Sequence, residues 1–199
     1  MAPNALHCIS QHLVPEPLYE CNQCCECDQN CCNRVIQKGS NIKFKVIEAN
    51  NKGYGLATQE FISKGKFVIE YVGERMTKVE AANRLIDLRE QNAPCYIFAL
   101  LEHYGDTKLS YFVDATKTGN LARFINHSCE PNLTMIPVRV NQVEPAFALF
   151  AAKDIEEGAE LTFSYGSVDT QDKTDFKKCF CGAVSCKGYL PFSASITMQ

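Results

Sequence analysis

Six short runs rich in β-branched and aromatic residues recur along the chain: KFKVIEA, KFVIEYV, CYIFALL, SYFVD, NLTMIPVRV and AFALFAA, separated by Gly, Asn, Asp or Lys clusters. Such residues fill a pleated, half-buried surface well, so these runs predict strands and a mainly β protein with short helices. One stretch departs from that period. Thr77 and Glu80 are spaced as a Thr-x-x-Glu capping box, and Val79, Ala82, Leu85 and Ile86 recur at helical intervals up to about Glu90, predicting a helix that covers one side of the sheets. A second short helix is expected at Gly119 to Ile125, and the polar residues 167 to 176 read as a mobile loop.

With 199 residues, 46% of them hydrophobic, the chain can bury a core and suits one principal domain with appendages. No apolar run approaches the roughly 20 residues of a membrane span. The start, Met1-Ala2-Pro3-Asn4, lacks the basic-then-apolar layout of a signal peptide, so the protein is expected to be soluble and kept inside the cell. Twelve cysteines in such a compartment argue against a disulfide framework and for metal ligation, with zinc as the leading candidate. A net charge of −3 and a pI near 5.8 give no global attraction to nucleic acid; an acidic cleft for a basic substrate fits better.

The cysteines form two groups. "YECNQCCECDQNCCNRV" crowds six of them between Cys21 and Cys32, while "CFCGAVSC" supplies Cys179, Cys181 and Cys186. Three thiolates close in sequence leave a tetrahedral site open, so a distant fourth ligand is required, and Cys129 in "RFINHSCEPN" is the natural candidate. Around it, Arg123, Asn126 and His127 put a cation, an amide and an imidazole beside a metal ligand. "NKGYGLAT" places Gly53 and Gly55 at a turn entering a strand, where a backbone can approach a ligand closely. "ELTFSYG" ends a strand with Phe163 and Tyr165 on one side.

In this order and spacing, "NKGYGLAT", "FVIEYVGE", "CYIFAL", "GNLARFINHSCEPN" and "ELTFSYG" resemble the SET domain of protein lysine methyltransferases. The last cysteines resemble its post-SET segment, and the cysteine knot with "NRVIQKG" is similar to the end of the pre-SET region of the histone H3 methyltransferase branch, which includes the enzyme whose SET domain is fused to a transposase. The resemblance implies a SET-domain fold of small curved sheets with a knot-like threaded C-terminal segment. It divides the chain into an extended leader at 1–20, a partial pre-SET cysteine cluster at 21–33, the SET domain at 34–166, a post-SET zinc segment at 167–192 and a tail at 193–199.

It also implies S-adenosylmethionine as cofactor, held by Lys52, Gly53, Tyr54 and Gly55, by Arg123, by Asn126 and His127 on the adenine side, and by Phe180 and Leu190 over the adenine. Tyr96, Phe163 and Tyr165 become the aromatic lysine channel, with Tyr165 as the essential residue and Tyr96 facing cofactor and lysine alike. A Phe at position 163 implies di- or trimethylation, since in the resembling family a Tyr there restricts the product. The expected partner is a basic protein tail, histone H3 foremost, in nuclear chromatin, with neither direct nucleic acid binding nor a membrane indicated. Zinc is expected at Cys129, Cys179, Cys181 and Cys186, and also, less securely, at Cys21, Cys25, Cys27 and Cys31. Two departures stand out. Ser164 replaces the family's usual Asp, and only four cysteines match a cluster that in full has nine and binds three zincs. These leave a second reading, a weak or inactive SET-fold chromatin-binding module.

Overall fold

A computed structural model describes residues 18–104, 106–166 and 177–191. The leader to Pro17, with Cys8, the 167–176 loop and the tail from Phe192 lie outside the described residues. The chain divides into two compact units: one of residues up to Glu70 with Phe124–Asn126 and Pro131–Phe163, the other of Tyr71–Arg123, His127–Glu130 and residues from Ser164 onward.

The first unit is built on three small sheets. Leu18–Tyr19 (β1), Leu133–Arg139 (β9), Ala146–Ala151 (β10) and Phe67–Glu70 (β4) form a four-stranded sheet in the order β1-β9-β10-β4. Phe44–Ala49 (β2) and Gly53–Thr58 (β3) make an antiparallel hairpin with Val46 opposite Leu56 and Ala49 opposite Gly53. Thr162–Phe163 (β11) pairs with the short strand that begins at Asn126 (β8, Asn126–His127). Leu56, Ile62, Phe147, Leu149, Leu161 and Phe163 are fully buried here. Burying such side chains contributes about 1.5–3 kcal/mol each, which is what holds strands this short in register.

The cysteine-rich segment is tied to this sheet by polar groups as well as by apolar ones. Leu18, Val35 and Ile36 pack on Phe67, Val138, Ala148 and Phe150. The buried Glu20 carboxylate accepts from Val35 N at 2.6 Å, Ile36 N at 2.7 Å and Gln37 Nε2 at 2.8 Å. Arg34, also buried, donates to the carbonyls of Cys21 at 2.8 Å and Asn22 at 2.7 Å. A buried carboxylate and the two terminal nitrogens of a buried guanidinium, bonded in this way, anchor a loop that has almost no secondary structure.

The second unit holds the helix. Gly73–Met76 (β5), Thr107–Gly119 (β7) and Ile97–Tyr104 (β6) form a sheet in the order β5-β7-β6, and Lys78–Glu90 (α1) lies over it. The capping box is present: Thr77 Oγ1 accepts from Glu80 N at 3.3 Å while Glu80 Oε2 accepts from Thr77 N at 2.8 Å. The expected buried stripe is corrected. Ala81 and Leu85 face inward with Phe112, Met76, Ile97 and Ala99 around them, whereas Val79 is 69% and Ile86 52% exposed. Of the expected stripe, Leu85 is buried and Ala82 packs at the edge of the cluster; a helix over so small a sheet buries a narrow face and leaves Val79 and Ile86 in solvent. The second expected helix is a single 3-10 turn, Leu121–Phe124.

Candidate active site and metal centre

In the first unit the site is built on the β2–β3 turn. Asn51 and Gly53 both have positive φ, 60° and 78°, and the turn presents Lys52 toward Glu160, which forms a single bridge to Ala57 of β3. Lys52 Nζ lies 2.5 Å from Glu160 Oε2; the other carboxylate oxygen accepts from Asn126 Nδ2 at 2.9 Å. The same Asn126 amide donates to Tyr54 O at 3.0 Å, so Glu160 and Asn126 together fasten the turn. Gly55 lies where a Cβ would come within 2.9 Å of Glu160 Oε1 and 3.2 Å of Asn126 Nδ2. Tyr54 remains 62% exposed, with Phe124 edge-on to its ring at 6.4 Å.

Asn132, from "CEPN", splints the next stretch: its Nδ2 donates to Glu160 O at 2.8 Å and its Oδ1 accepts from Thr162 N at 2.8 Å. A side-chain amide here replaces a neighbouring strand, and Phe163 follows it into the core at 2% exposure. Sequence reasoning assigned no role to Glu160 or Asn132, although both stand inside the quoted motifs.

The second unit gathers Tyr71, Tyr96 and Arg123. The Tyr96 carbonyl accepts from Tyr71 Oη at 2.8 Å and from Ala115 N at 3.2 Å. Burial, with Tyr165, Cys95 and Asp114 adding, pushes the Tyr71 hydroxyl well above the usual tyrosine range, so it stays a donor. Arg123 stacks its guanidinium 4.1 Å from the Tyr96 ring centroid and donates to Thr116 O at 3.1 Å. Tyr71 is a further residue that sequence reasoning missed; its place in "FVIEYVGE" was the available signal.

His127 and Tyr165 adjoin in the same unit. The Tyr165 amide donates to His127 Nδ1 at 3.2 Å, the rings lie 5.4 Å apart, and Cys129 Sγ is 3.5 Å from His127 Nε2. Burial, then the nearby Lys187 charge, hold the imidazole at about 4, and the ring is neutral at physiological pH. Ser164 closes its own short turn, its Oγ donating to Gly166 O at 3.1 Å. His127, Cys129, Ser164, Lys187 and Tyr189 are among the residues lining a cleft of about 40 Å³.

Cys129, Cys179, Cys181 and Cys186 offer sulfurs that all lie within 4.8 Å of one another. Zn–S bonds of about 2.3 Å put tetrahedral sulfurs roughly 3.8 Å apart, and the donor set fits that ion. Lys187 N donates to Cys129 Sγ and Gly188 N to Cys186 Sγ, each at 3.4 Å. Burial pushes the Cys179 thiol up to about 12. Cys181 is drawn down to about 6, because backbone N–H groups and the neighbouring thiols outweigh its burial. From this segment Phe180 is 43% exposed with Lys178 Nζ 5.2 Å from its ring centroid, and Leu190 N donates to Lys177 O at 2.7 Å.

In the first unit Cys21, Cys27 and Cys31 come together within the same 4.8 Å limit. Cys25, expected with them, is outside that group; its thiol turns to Asn22, donating to Oδ1 at 3.8 Å. Asn33 Nδ2 donates to Cys21 Sγ at 3.4 Å and Arg34 NH2 to Cys27 Sγ at 3.6 Å.

The family profile described as "SET domain" matches residues 53–166. Histone-lysine N-methyltransferase SETMAR of Rattus norvegicus is 45% identical over 199 residues, covering 94% of this chain and 63% of the relative. The chain spans 28% of the length of the Homo sapiens protein of that name. Among solved structures, the methyltransferase domain of human SETMAR matches with a TM-score of 0.78 and 44% identity, over 89% of this chain and 68% of that one. KRYPTONITE in complex with mCHG DNA and SAH matches with a TM-score of 0.70 and 32% identity, over 88% of this chain and 34% of that one.

Proposed function

The chain belongs to the SET-domain family, and from that premise we propose that it is an S-adenosylmethionine-dependent histone-lysine N-methyltransferase, acting on histone H3 or a similarly basic tail in the nucleus. The observation that carries this reading is the family match over residues 53–166. The SAH in the KRYPTONITE complex supports the cofactor. S-adenosylmethionine, when bound, would supply the activated methyl on its sulfonium, and SAH is what remains after transfer.

The chain's own residues then have three tasks: align the lysine amine, remove its charge and exclude water. Tyr96 and Tyr165 are assigned to alignment, since near-attack geometry supplies much of the barrier reduction. Arg123 on the Tyr96 ring, and the two hydrogen bonds on the Tyr96 carbonyl, immobilise that ring. Aromatic surroundings desolvate the lysine stem and lower its pKa toward a neutral nucleophile. On the cofactor side, Lys52, Gly53, Tyr54 and Gly55 present backbone to its amino-acid part. Both amide contacts of Asn126 and both ring nitrogens of His127 are engaged within the protein, so their backbone groups are the ones we assign to the adenine, with Phe180 and Leu190 covering it. Zinc is assigned to Cys129, Cys179, Cys181 and Cys186, with the Cys21, Cys27 and Cys31 group as a further candidate.

Radiolabelled methyl transfer to core histones and to a panel of histone peptides tests the reading. Transfer to lysine supports it; cofactor binding without transfer would favour the chromatin-binding module instead.

Two expectations concern single side chains. Glu160→Gln keeps the shape but removes the charge facing Lys52, and charge-assisted hydrogen bonds exceed neutral ones by about a factor of two. Affinity for S-adenosylhomocysteine by calorimetry is expected to fall about tenfold, or about 1.4 kcal/mol; an unchanged affinity would separate Glu160 from the cofactor turn. Phe163→Tyr adds a hydroxyl at a position that is 2% exposed and should shift the product, read by mass spectrometry, from di- and trimethyl-lysine toward monomethyl-lysine. An unaltered product distribution would remove Phe163 from the control of methylation degree.

A further inference from the structure

His127 spends both ring nitrogens inside the second unit. Nδ1 accepts the Tyr165 amide proton at 3.2 Å, and a backbone N–H can only donate, so Nδ1 carries a lone pair. A neutral imidazole then keeps its single proton on Nε2, and Nε2 lies 3.5 Å from Cys129 Sγ. The contact is therefore Nε2–H···Sγ, from a ring that is 5% exposed and out of competition with water. Cys129 Sγ also receives Lys187 N at 3.4 Å, so two N–H donors converge on the sulfur that joins the body of the chain to the three C-terminal cysteines.

The geometry points to His127 as a positioning residue that couples the four-cysteine metal centre to the backbone of Tyr165. A ligated Cys129 sulfur is a fixed acceptor; it holds the imidazole in one tautomer and one orientation, and that ring in turn holds the Tyr165 amide. Outer partners of metal ligands commonly set ligand geometry in this way, but here the partner's second hydrogen bond ends on the residue assigned to the reaction. This coupling deepens the methyltransferase reading and rests on it. It assigns His127 an effect on turnover, distinct from the cofactor contacts of its backbone.

The whole chain loaded with cadmium-113 in place of zinc provides the test. A scalar coupling between the metal and the His127 Nε2–H proton is expected, with Nδ1 unprotonated in the nitrogen spectrum. Tyrosine-selective nitrogen labelling gives at most eight amide signals from the 8 tyrosines, of which the one lost in Tyr165→Phe reports this site; it should differ between the zinc and cadmium forms. In His127→Leu that difference should vanish while the cadmium signal of four thiolates persists. The same variant should lose about 10- to 100-fold in kcat with the cofactor KM within about twofold.

A proton on Nδ1, an absent metal coupling, or a rise in cofactor KM with kcat unchanged would each overturn the assignment. If His127→Leu does not fold, the coupling in the unsubstituted chain decides alone. A chain that transfers no methyl group yet shows the coupling would refute the methyltransferase reading and leave the hydrogen-bonded link standing.

Discussion

Tyr165→Phe is expected to lower kcat for methyl transfer to a histone H3 peptide by about 100-fold or more, the scale on which small losses of alignment act. The substitution is conservative in every other respect. The Tyr165 amide still donates to His127 Nδ1, and a phenyl ring keeps the packing at 5.4 Å from the imidazole, so only the hydroxyl disappears. Affinity for S-adenosylhomocysteine should therefore stay within about twofold, and thermal stability should change little, as for a surface-accessible truncation without a cavity. A variant that retains its turnover would remove the hydroxyl from the reaction and return the site to the reading of a binding module. Parallel loss of cofactor affinity would instead assign Tyr165 to the cofactor.

Gly73→Ala should destabilise the second unit by about 2–3 kcal/mol, measured by urea denaturation, through overpacking. A Cβ at this position would stand 2.5 Å from Asp114 O and 2.7 Å from Val113 Cγ1. The obstacle is backbone of the neighbouring strand β7, and Asp114 has little freedom to retreat. Its carboxylate, held below the usual range against the pull of burial by Thr116 and Arg84, accepts from Arg84 at 2.7 Å and from Thr116 N at 2.8 Å. Arg84 in turn binds Glu74 with both terminal nitrogens at 2.8 Å, so β5, α1 and β7 would have to shift together. Gly55→Ala provides the contrast: the nearest atoms to its Cβ are the side-chain atoms Glu160 Oε1 at 2.9 Å and Asn126 Nδ2 at 3.2 Å, whose displacement strains the hydrogen bond between them but moves no strand backbone. Its stability loss should be smaller than that of Gly73→Ala. Equal losses in the two variants would mean that β7 yields as readily as a side chain does.

Much of the architecture was legible because the short strands carry their own signal. Each of the six apolar runs became a strand or part of one, since β-branched and aromatic side chains suit a pleated surface whatever lies opposite. The helix and its capping box were legible for the same reason, as the box is satisfied among neighbours in sequence. Its inward face was not. Val79 and Ile86 match the helical period as well as Leu85 does, and the choice among them belongs to Phe112 and Ala99 on the sheet beneath. The cysteine groups divide along the same line: valence called for a distant fourth partner to the C-terminal trio, with Cys129 the natural candidate, and its sulfur lies with theirs, whereas the loop geometry that leaves Cys25 outside the Cys21, Cys27 and Cys31 group is not encoded by spacing.

The sequence by itself determined the residue types of the site, the strand and helix content, and the family, because these depend on local propensity and on motifs that survive in order along the chain. Only the tertiary structure decided what the motif residues are bonded to. Glu160 with Lys52 and Asn126, Tyr71 with the Tyr96 carbonyl, and His127 with both Tyr165 and Cys129 are pairings in which the best-separated partners stand more than a hundred residues apart, at Lys52 and Glu160. Hydrogen bonds of this kind depend on angles and on distances of about 3 Å. No one-dimensional spacing specifies such geometry. It emerges when the buried faces of the strands find their register and carry the polar groups at their ends into reach.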